Sequence, residues 1–271
     1  MNAKETASVM DRDADTGDSK AGPLPPAVAV SWLAAGWRDL VARPALSLAY
    51  GAGVFVVSLI VIAAMFQAGW DHILFPALSG FMIIGPLVAI GLYEKSRRLK
   101  QGNSVRLKDM IFVHPPSGGQ IFFIGVILTL LIVFWLRAAV LIYALFFGLL
   151  PFPGMDEIVV TVFATPTGWA MLLVGTVIGG LFAAFAFSIS VFAVPMLLDR
   201  NVDALTAMGM SMALVWRNLG AMIAWGAIVL ALFAVSVLTG LVGLVIVFPL
   251  LGHATWHAYL RVSSGAETGT S

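Results

Sequence analysis

The sequence predicts an all-α fold, a polytopic membrane bundle of six transmembrane helices, and three observations predict it. Hydrophobic residues make up 60% of the 271 residues and charged residues only 11%, against about 25% charged in ordinary soluble domains. Uncharged runs recur at the length of about 20 residues that crosses a hydrocarbon core of about 30 Å. The basic residues gather in alternate connections, as the positive-inside rule requires of a multi-span chain.

The spans follow in order. Four apolar runs are plain: 44–66, 73–93, 121–147 and 168–198, and the only formal charge in them is Arg137. The fifth apolar stretch carries no Asp, Glu, Lys or Arg between Arg217 and Arg261. As one helix it would run to about 60 Å at 1.5 Å per residue, about twice the core. Thr239, Gly240 and Gly243 supply turn chemistry near its middle. The stretch is therefore divided into 219–238 and 241–259, a tight hairpin. A single long tilted helix, or one span plus a re-entrant piece, is the competing reading.

Charge placement tests the number. Six spans put Arg38, Arg43, the loop from Lys95 to Lys108, Arg200, Arg217 and Arg261 on one side, while the opposite loops 67–72, 148–167 and 238–243 contain no Lys or Arg. The basic side is cytoplasmic by the positive-inside rule, so both termini are expected there. Residues 1–27 and 262–271 read as disordered polar tails around one transmembrane domain, 28–261; the first lacks the basic start and apolar core of a signal peptide. Trp37, Tyr50, Trp70, Tyr93, Trp169, Trp216, Trp256 and Tyr259 fall near span ends, where amphipathic rings favour the interface, and Trp135 and Trp225 lie deeper.

The chain also reads as three repeated helical hairpins, each with a cytoplasmic amphipathic lead-in. Trp37-Arg38-Asp39-Leu40 precedes the first span and Trp216-Arg217-Asn218-Leu219 leads into the fifth, and the returning spans carry Pro86, Pro195 and Pro249. Val30, Leu33, Trp37 and Val41 share one helical face, as do Leu205, Met208, Met212, Val215 and Leu219, so these segments suit the membrane surface. The middle lead-in, 105–114, is cut short by Pro115 and Pro116.

Candidate chemistry is sparse. Arg137 lies about 24 Å beyond Ile121 along its helix. It suits either an outer-face anchor, paired with Asp71, Asp156 or Glu157, or a substrate or proton path. Asp199 and Asp203 follow Pro195 by four and eight residues, His253 and His257 follow Pro249 by the same spacing, and Glu94 follows Pro86 by eight. Folded around a pseudo-axis, these five would converge on a metal. The plainer expectation pairs Glu94 with Arg98 and Asp199 with Arg200, and leaves the histidines as interfacial residues touching headgroups, Trp256, Tyr259 or solvent. His253 and His257 on one helix cannot face one haem iron from opposite sides. Gly175, Gly179 and Ala183 form a small-residue packing stripe, and Pro86 with Gly85 and Gly91 suits a kink in the second span. The basic loop 94–109 is expected to set topology, with anionic lipid binding as the alternative. There is no cysteine, so disulfides and thiolate chemistry are excluded. No Walker loop, HExxH or GxSxG occurs.

Four segments carry a resemblance: WLAAGWRDLVARPALSLAY at 32–50, GPLVAIGLYEKSRRL at 85–99, VPMLLDRNVDALTAM at 194–208 and FPLLGHATWHAY at 248–259. On these the chain resembles an uncharacterised family of bacterial integral membrane proteins, domain of unknown function 2189. The resemblance implies a multi-span protein of the bacterial inner membrane and supplies no activity, cofactor or catalytic residue.

The leading functional expectation is a non-enzymatic scaffold, assembly factor or accessory subunit, with no cofactor and no nucleic acid. Its partners are the lipid bilayer and a membrane-protein partner or a second copy. The alternatives are a small transporter or channel, and a metal- or haem-handling protein of the respiratory membrane. Polar cavities between spans would favour transport and a dry bundle would favour the scaffold.

Overall fold

The computed structural model describes residues 23–70, 73–148 and 155–267, and among them the secondary structure is entirely helical. The helices are α1 (Val28–Ala42), α2 (Pro44–Gln67), α3 (Leu74–Val88), α4 (Ile90–Lys100), α5 (Leu107–Ile111), α6 (Gly118–Phe147), α7 (Met155–Ala164), α8 (Pro166–Ser190), α9 (Ala193–Asp199), α10 (Ala204–Arg217), α11 (Leu219–Leu238) and α12 (Leu244–Glu267).

Among the described residues, five helical stretches are long and apolar enough to cross a membrane: Pro44–Gln67, Leu74–Lys100, Gly118–Phe147, Pro166–Asp199 and Leu219–Leu238. They leave large apolar side chains such as Val57, Ile60, Phe134, Leu141 and Leu181 facing outward, as a hydrocarbon solvent permits. The sixth expected span is different. Its helix begins at Leu244 and does not stand with the five by length and composition, because from its tenth residue on it carries His253, Thr255, His257 and Arg261. The hairpin turn lies where the sequence put it. Gly240 and Leu241 both adopt positive φ, and the Thr239 hydroxyl accepts from the Gly243 amide at 3.1 Å.

Two expected spans are broken. The second changes direction at Ala89, between α3 and α4, and the Tyr50 hydroxyl donates to the Val88 carbonyl at the break. The fourth breaks at Val191 and Phe192, between α8 and α9. There the Ser211 hydroxyl donates to the Ser188 carbonyl and accepts from the Phe192 amide. Pro86 and Pro249 sit inside helices, whereas Pro195 lies in the short α9 just after the break. The breaks therefore stand differently to their prolines: Ala89 follows Pro86, whereas Val191 and Phe192 precede Pro195.

The C-terminal segment is also corrected. A tail was expected from Val262, but α12 continues to Glu267, and Val262 and Ser263 are buried. Residues 1–22 and 268–271 lie outside the described residues.

The last helix is the hub of one end of the bundle. α12 packs against α1, α2 and α4, and two glycines allow the approach. A Cβ on Gly36 of α1 would stand 2.6 Å from the Ala254 amide nitrogen and 2.8 Å from the Leu250 carbonyl oxygen of α12. Gly51 of α2 lies against the Val245 carbonyl, the group that Pro249 leaves without its helical donor. The amphipathic lead-ins are real helices, and their outer faces are apolar. Val30, Trp37 and Val41 of α1, and Leu205, Met212 and Trp216 of α10, are exposed, while Ala29, Trp32, Ala35, Gly36 and Leu40 pack inward. The middle lead-in shrinks to the single turn of α5.

Candidate functional site

The polar half of α12 is enclosed by helices that each bring one or two polar side chains. α1 supplies Asp39, the first turn of α2 supplies Ser47, and α4 supplies Lys95 and Ser96. Lys95, Ser47 and His253 are fully buried and Ser96 nearly so. Buried polar groups persist only when they are hydrogen-bonded, and here they bond to one another. Lys95 Nζ donates to Ser47 Oγ at 2.7 Å and to the Arg43 carbonyl oxygen at 3.0 Å. His253 lies between two serines, with Nε2 2.8 Å from Ser47 Oγ and Nδ1 2.8 Å from Ser96 Oγ. Ser96 bonds to the Asp39 carboxylate, and Asp39 Oδ2 lies 2.8 Å from His257 Nε2.

With His253 neutral, one arrangement of protons makes every contact a hydrogen bond. The Lys95 ammonium donates to Ser47, Ser47 to His253 Nε2, His253 Nδ1–H to Ser96, and Ser96 to Asp39. His257 donates to the same carboxylate from the other side. The chain thus runs from a buried cation to an anion through three aligned dipoles, which is how Lys95 is accommodated without a carboxylate in direct contact. Burial alone would raise the Asp39 carboxyl, but hydrogen bonds from His257 and Ser96 outweigh it and hold the group below the usual carboxylate range.

The alternative in which five groups converge on a metal is not seen among the described residues. Glu94, itself buried, accepts from Arg97 Nε at 2.8 Å and from Arg98 Nε at 2.6 Å. Asp199 accepts from the Tyr259 hydroxyl at 2.9 Å and lies 3.8 Å from Arg200. Asp203 caps α10 through the Thr206 amide at 2.9 Å, and its hydrogen bonds with Thr206 hold its carboxyl below the ordinary range. Among the described residues no three His, Asp or Glu groups are arranged to hold a metal ion. The expected pairings of Glu94 with Arg98 and of Asp199 with Arg200 are both present.

The histidines do not sit as plain interfacial residues. His253 is fully buried, and His257 bonds to Asp39. Trp256 and Tyr259, expected at the interface, are buried as well, because α1, α4 and α9 cover this part of α12, and Tyr93 of α4 is buried too. Trp37, Trp70, Trp169 and Trp216 are exposed as expected. Lys95 departs furthest from expectation. It was read as part of a topology-setting loop, yet it is the innermost charge of the network.

The remaining candidates lie elsewhere. Arg137 is exposed near the far end of α6, and among the described residues no hydrogen bond or ion pair to it is found. Of its expected partners, Asp71 lies outside the described residues, as do the side chains of Asp156 and Glu157. Gly179 packs against the Trp135 indole of α6 in the same chain, and Gly175 and Ala183 line an open groove. Trp135 donates to Ser79 Oγ at 2.9 Å, fixing the ring as a packing element.

Asp39, Ser47, Lys95 and Ser96 were missed by sequence reasoning as site residues. A signal was available. Ser47 and Gly51 stand four apart on a largely apolar helix, a stripe of small residues that marks a close neighbour. Moreover, three of the four segments quoted for the resemblance, 32–50, 85–99 and 248–259, supply every residue of the hydrogen-bonded chain. The fourth, 194–208, supplies Asp199, the acceptor for Tyr259.

Comparison with curated proteins gives no match, and comparison with solved structures gives none. A family model does match, over residues 74–199, which hold α3 to α9. The family that the four segments pointed to is the one so matched, described as predicted integral membrane protein (DUF2189).

Proposed function

We propose that this chain is a non-enzymatic scaffold, assembly or accessory subunit of the bacterial inner membrane, crossing it six times with both termini in the cytoplasm. One observation carries the reading. The buried polar groups at the basic end direct their hydrogen bonds at one another, and the space left between the crossing helices is walled mainly by apolar side chains. Such a bundle holds shape rather than a hydrophilic route. The sixth crossing has geometric support, since α11 starts beside Leu24, whose amide donates to Asn218, and α12 returns to the same end, where His257 meets Asp39. The outer two copies of the expected repeat are supported by matching lead-ins, α1 of 15 residues and α10 of 14, each followed directly by a crossing helix.

A second reading, a small proton-linked transporter, is favoured by the continuous chain from Lys95 to Asp39, along which a proton can shift. One experiment separates the two. The full chain is reconstituted in vesicles carrying a trapped pH-sensitive dye, and a pH gradient is imposed with and without a membrane potential. The scaffold reading expects the leak of protein-free vesicles. Flux that disappears in Lys95→Met or His253→Ala would reject it in favour of transport. In membranes, cross-linking should capture one membrane protein at fixed stoichiometry, and a solitary monomer would count against an accessory subunit.

A further inference from the structure

An apolar groove of about 900 Å³ lies between the crossing helices, with α3, α6 and α8 on one side and α11 on the other. Its floor is recessed: Ile83, Ile142 and Met222 are 4%, 9% and 2% exposed. Small residues make the space. Gly180 of α8 and Gly226 of α11 line it, and a Cβ on either would meet no atom within 4 Å. α11 walls the groove from Leu219 to Leu230, about 16 Å of helix at 1.5 Å per residue. That is about the depth of one leaflet, half of a core about 30 Å thick. The wall starts at the basic end of the bundle. There Arg217 stands between Val215 and Leu219, both groove-lining, and is exposed, with no hydrogen bond or ion pair found to it among the described residues.

We propose that the groove holds an acyl chain of one anionic phospholipid from the leaflet at the basic end, with the phosphate on Arg217. α8 lines the groove for longer, from Ser188 to Met171 or about 26 Å, but the part walled by both α8 and α11 matches one leaflet, and the mouth carries the charge that complements an anionic headgroup. The floor is recessed and apolar, a surface that a hydrocarbon chain covers. This site stands independently of the scaffold reading, because a transporter would carry the same groove.

The test is native mass spectrometry of the purified full chain with phosphatidylglycerol and phosphatidylcholine. The wild type should retain one phosphatidylglycerol, at least tenfold more tightly than phosphatidylcholine. Gly226→Leu should fill the groove and weaken phosphatidylglycerol retention at least tenfold while the unfolding midpoint is kept. Gly180→Leu should do the same from the opposite wall, which guards against one variant that fails to fold. Arg217→Gln should leave a lipid bound and remove the preference for the anionic headgroup. The proposal is overturned if both leucine variants retain lipid as the wild type does, or if Arg217→Gln keeps the preference. It is also overturned if the wild type is a dimer that either leucine breaks, since the groove is then an interface between copies.

Discussion

Ser47 is the residue on which the buried chain turns. Its hydroxyl meets Lys95 on one side and His253 on the other. Ser47→Ala would remove one partner from each without opening much space. Leaving a buried donor or acceptor unsatisfied costs about 1–3 kcal/mol, more for a charged group. The expected result is a drop in unfolding free energy of at least that size in detergent, and a change under about 0.5 kcal/mol would show that the contacts carry little. Asp39 adds a pH signature. Its folded pKa lies below the ordinary 3.8, so its contribution to stability is present above that value and is lost as pH falls through the folded pKa. The stability gap between wild type and Asp39→Asn should therefore be constant from neutral pH to about pH 5 and shrink below pH 4. A gap that held at pH 3 would mean that the carboxylate is not the group His257 and Ser96 stabilise.

At the scale of elements, the contact of α1 with α12 depends on one hydrogen atom at Gly36. Gly36→Ala forces backbone apart at Ala254, and overpacking of this kind costs about 1–3 kcal/mol. Gly53→Ala on α2 meets no atom within 4 Å and should be neutral or gain up to about 1 kcal/mol from helix propensity. Thermal unfolding of the pair measures the difference, and equal behaviour would mean that α1 is not seated on α12. The elements themselves were readable from sequence, because the length of an uncharged run and the chemistry of a turn are local. α11 was placed at 219–238 and occupies Leu219–Leu238, and the Thr239 turn follows it. The break at Ala89 falls within the kink expected at Gly85, Pro86 and Gly91, whereas the break at Val191 was not readable, since the Ser211 hydroxyl that satisfies it comes from another helix. The site was hidden for the same reason. Ser47 and His253 are 206 residues apart, and Asp39 and His257 are 218 apart. No spacing rule reaches over such intervals, whereas the four-residue interval of the two histidines was visible and suggested a metal.

For the whole molecule, the sided distribution of charge is the testable feature. A reporter active only in the cytoplasm, fused after Arg261, should be active, and the same reporter inserted within 153–161 should be silent. The opposite pattern at either place would overturn six crossings. Direct contact joins two of the basic segments: Arg43 donates to the Val105 carbonyl at 3.0 Å, and within the same loop Arg98 lies 3.4 Å from Asp109. Sequence reasoning expected these two segments on one side because topology depends on where charges fall and not on how side chains pack.

The central place of α12 has a consequence for biogenesis. The ribosome makes this helix after α1, α2 and α4, whose Gly36, Gly51 and Ser96 it covers. During synthesis Lys95 must wait in water or at the headgroups, and only the arrival of His253 lets it move inside. Insertion of the earlier spans and closure of the bundle are thus separate events, and the interval between them is a window for quality-control proteases. A chain stopped after Thr239 should insert and then be degraded quickly, and pulse-chase labelling should show it. Supplying 240–271 as a separate segment in the same membrane should lengthen its lifetime, and no rescue would mean that the helices close without the hub.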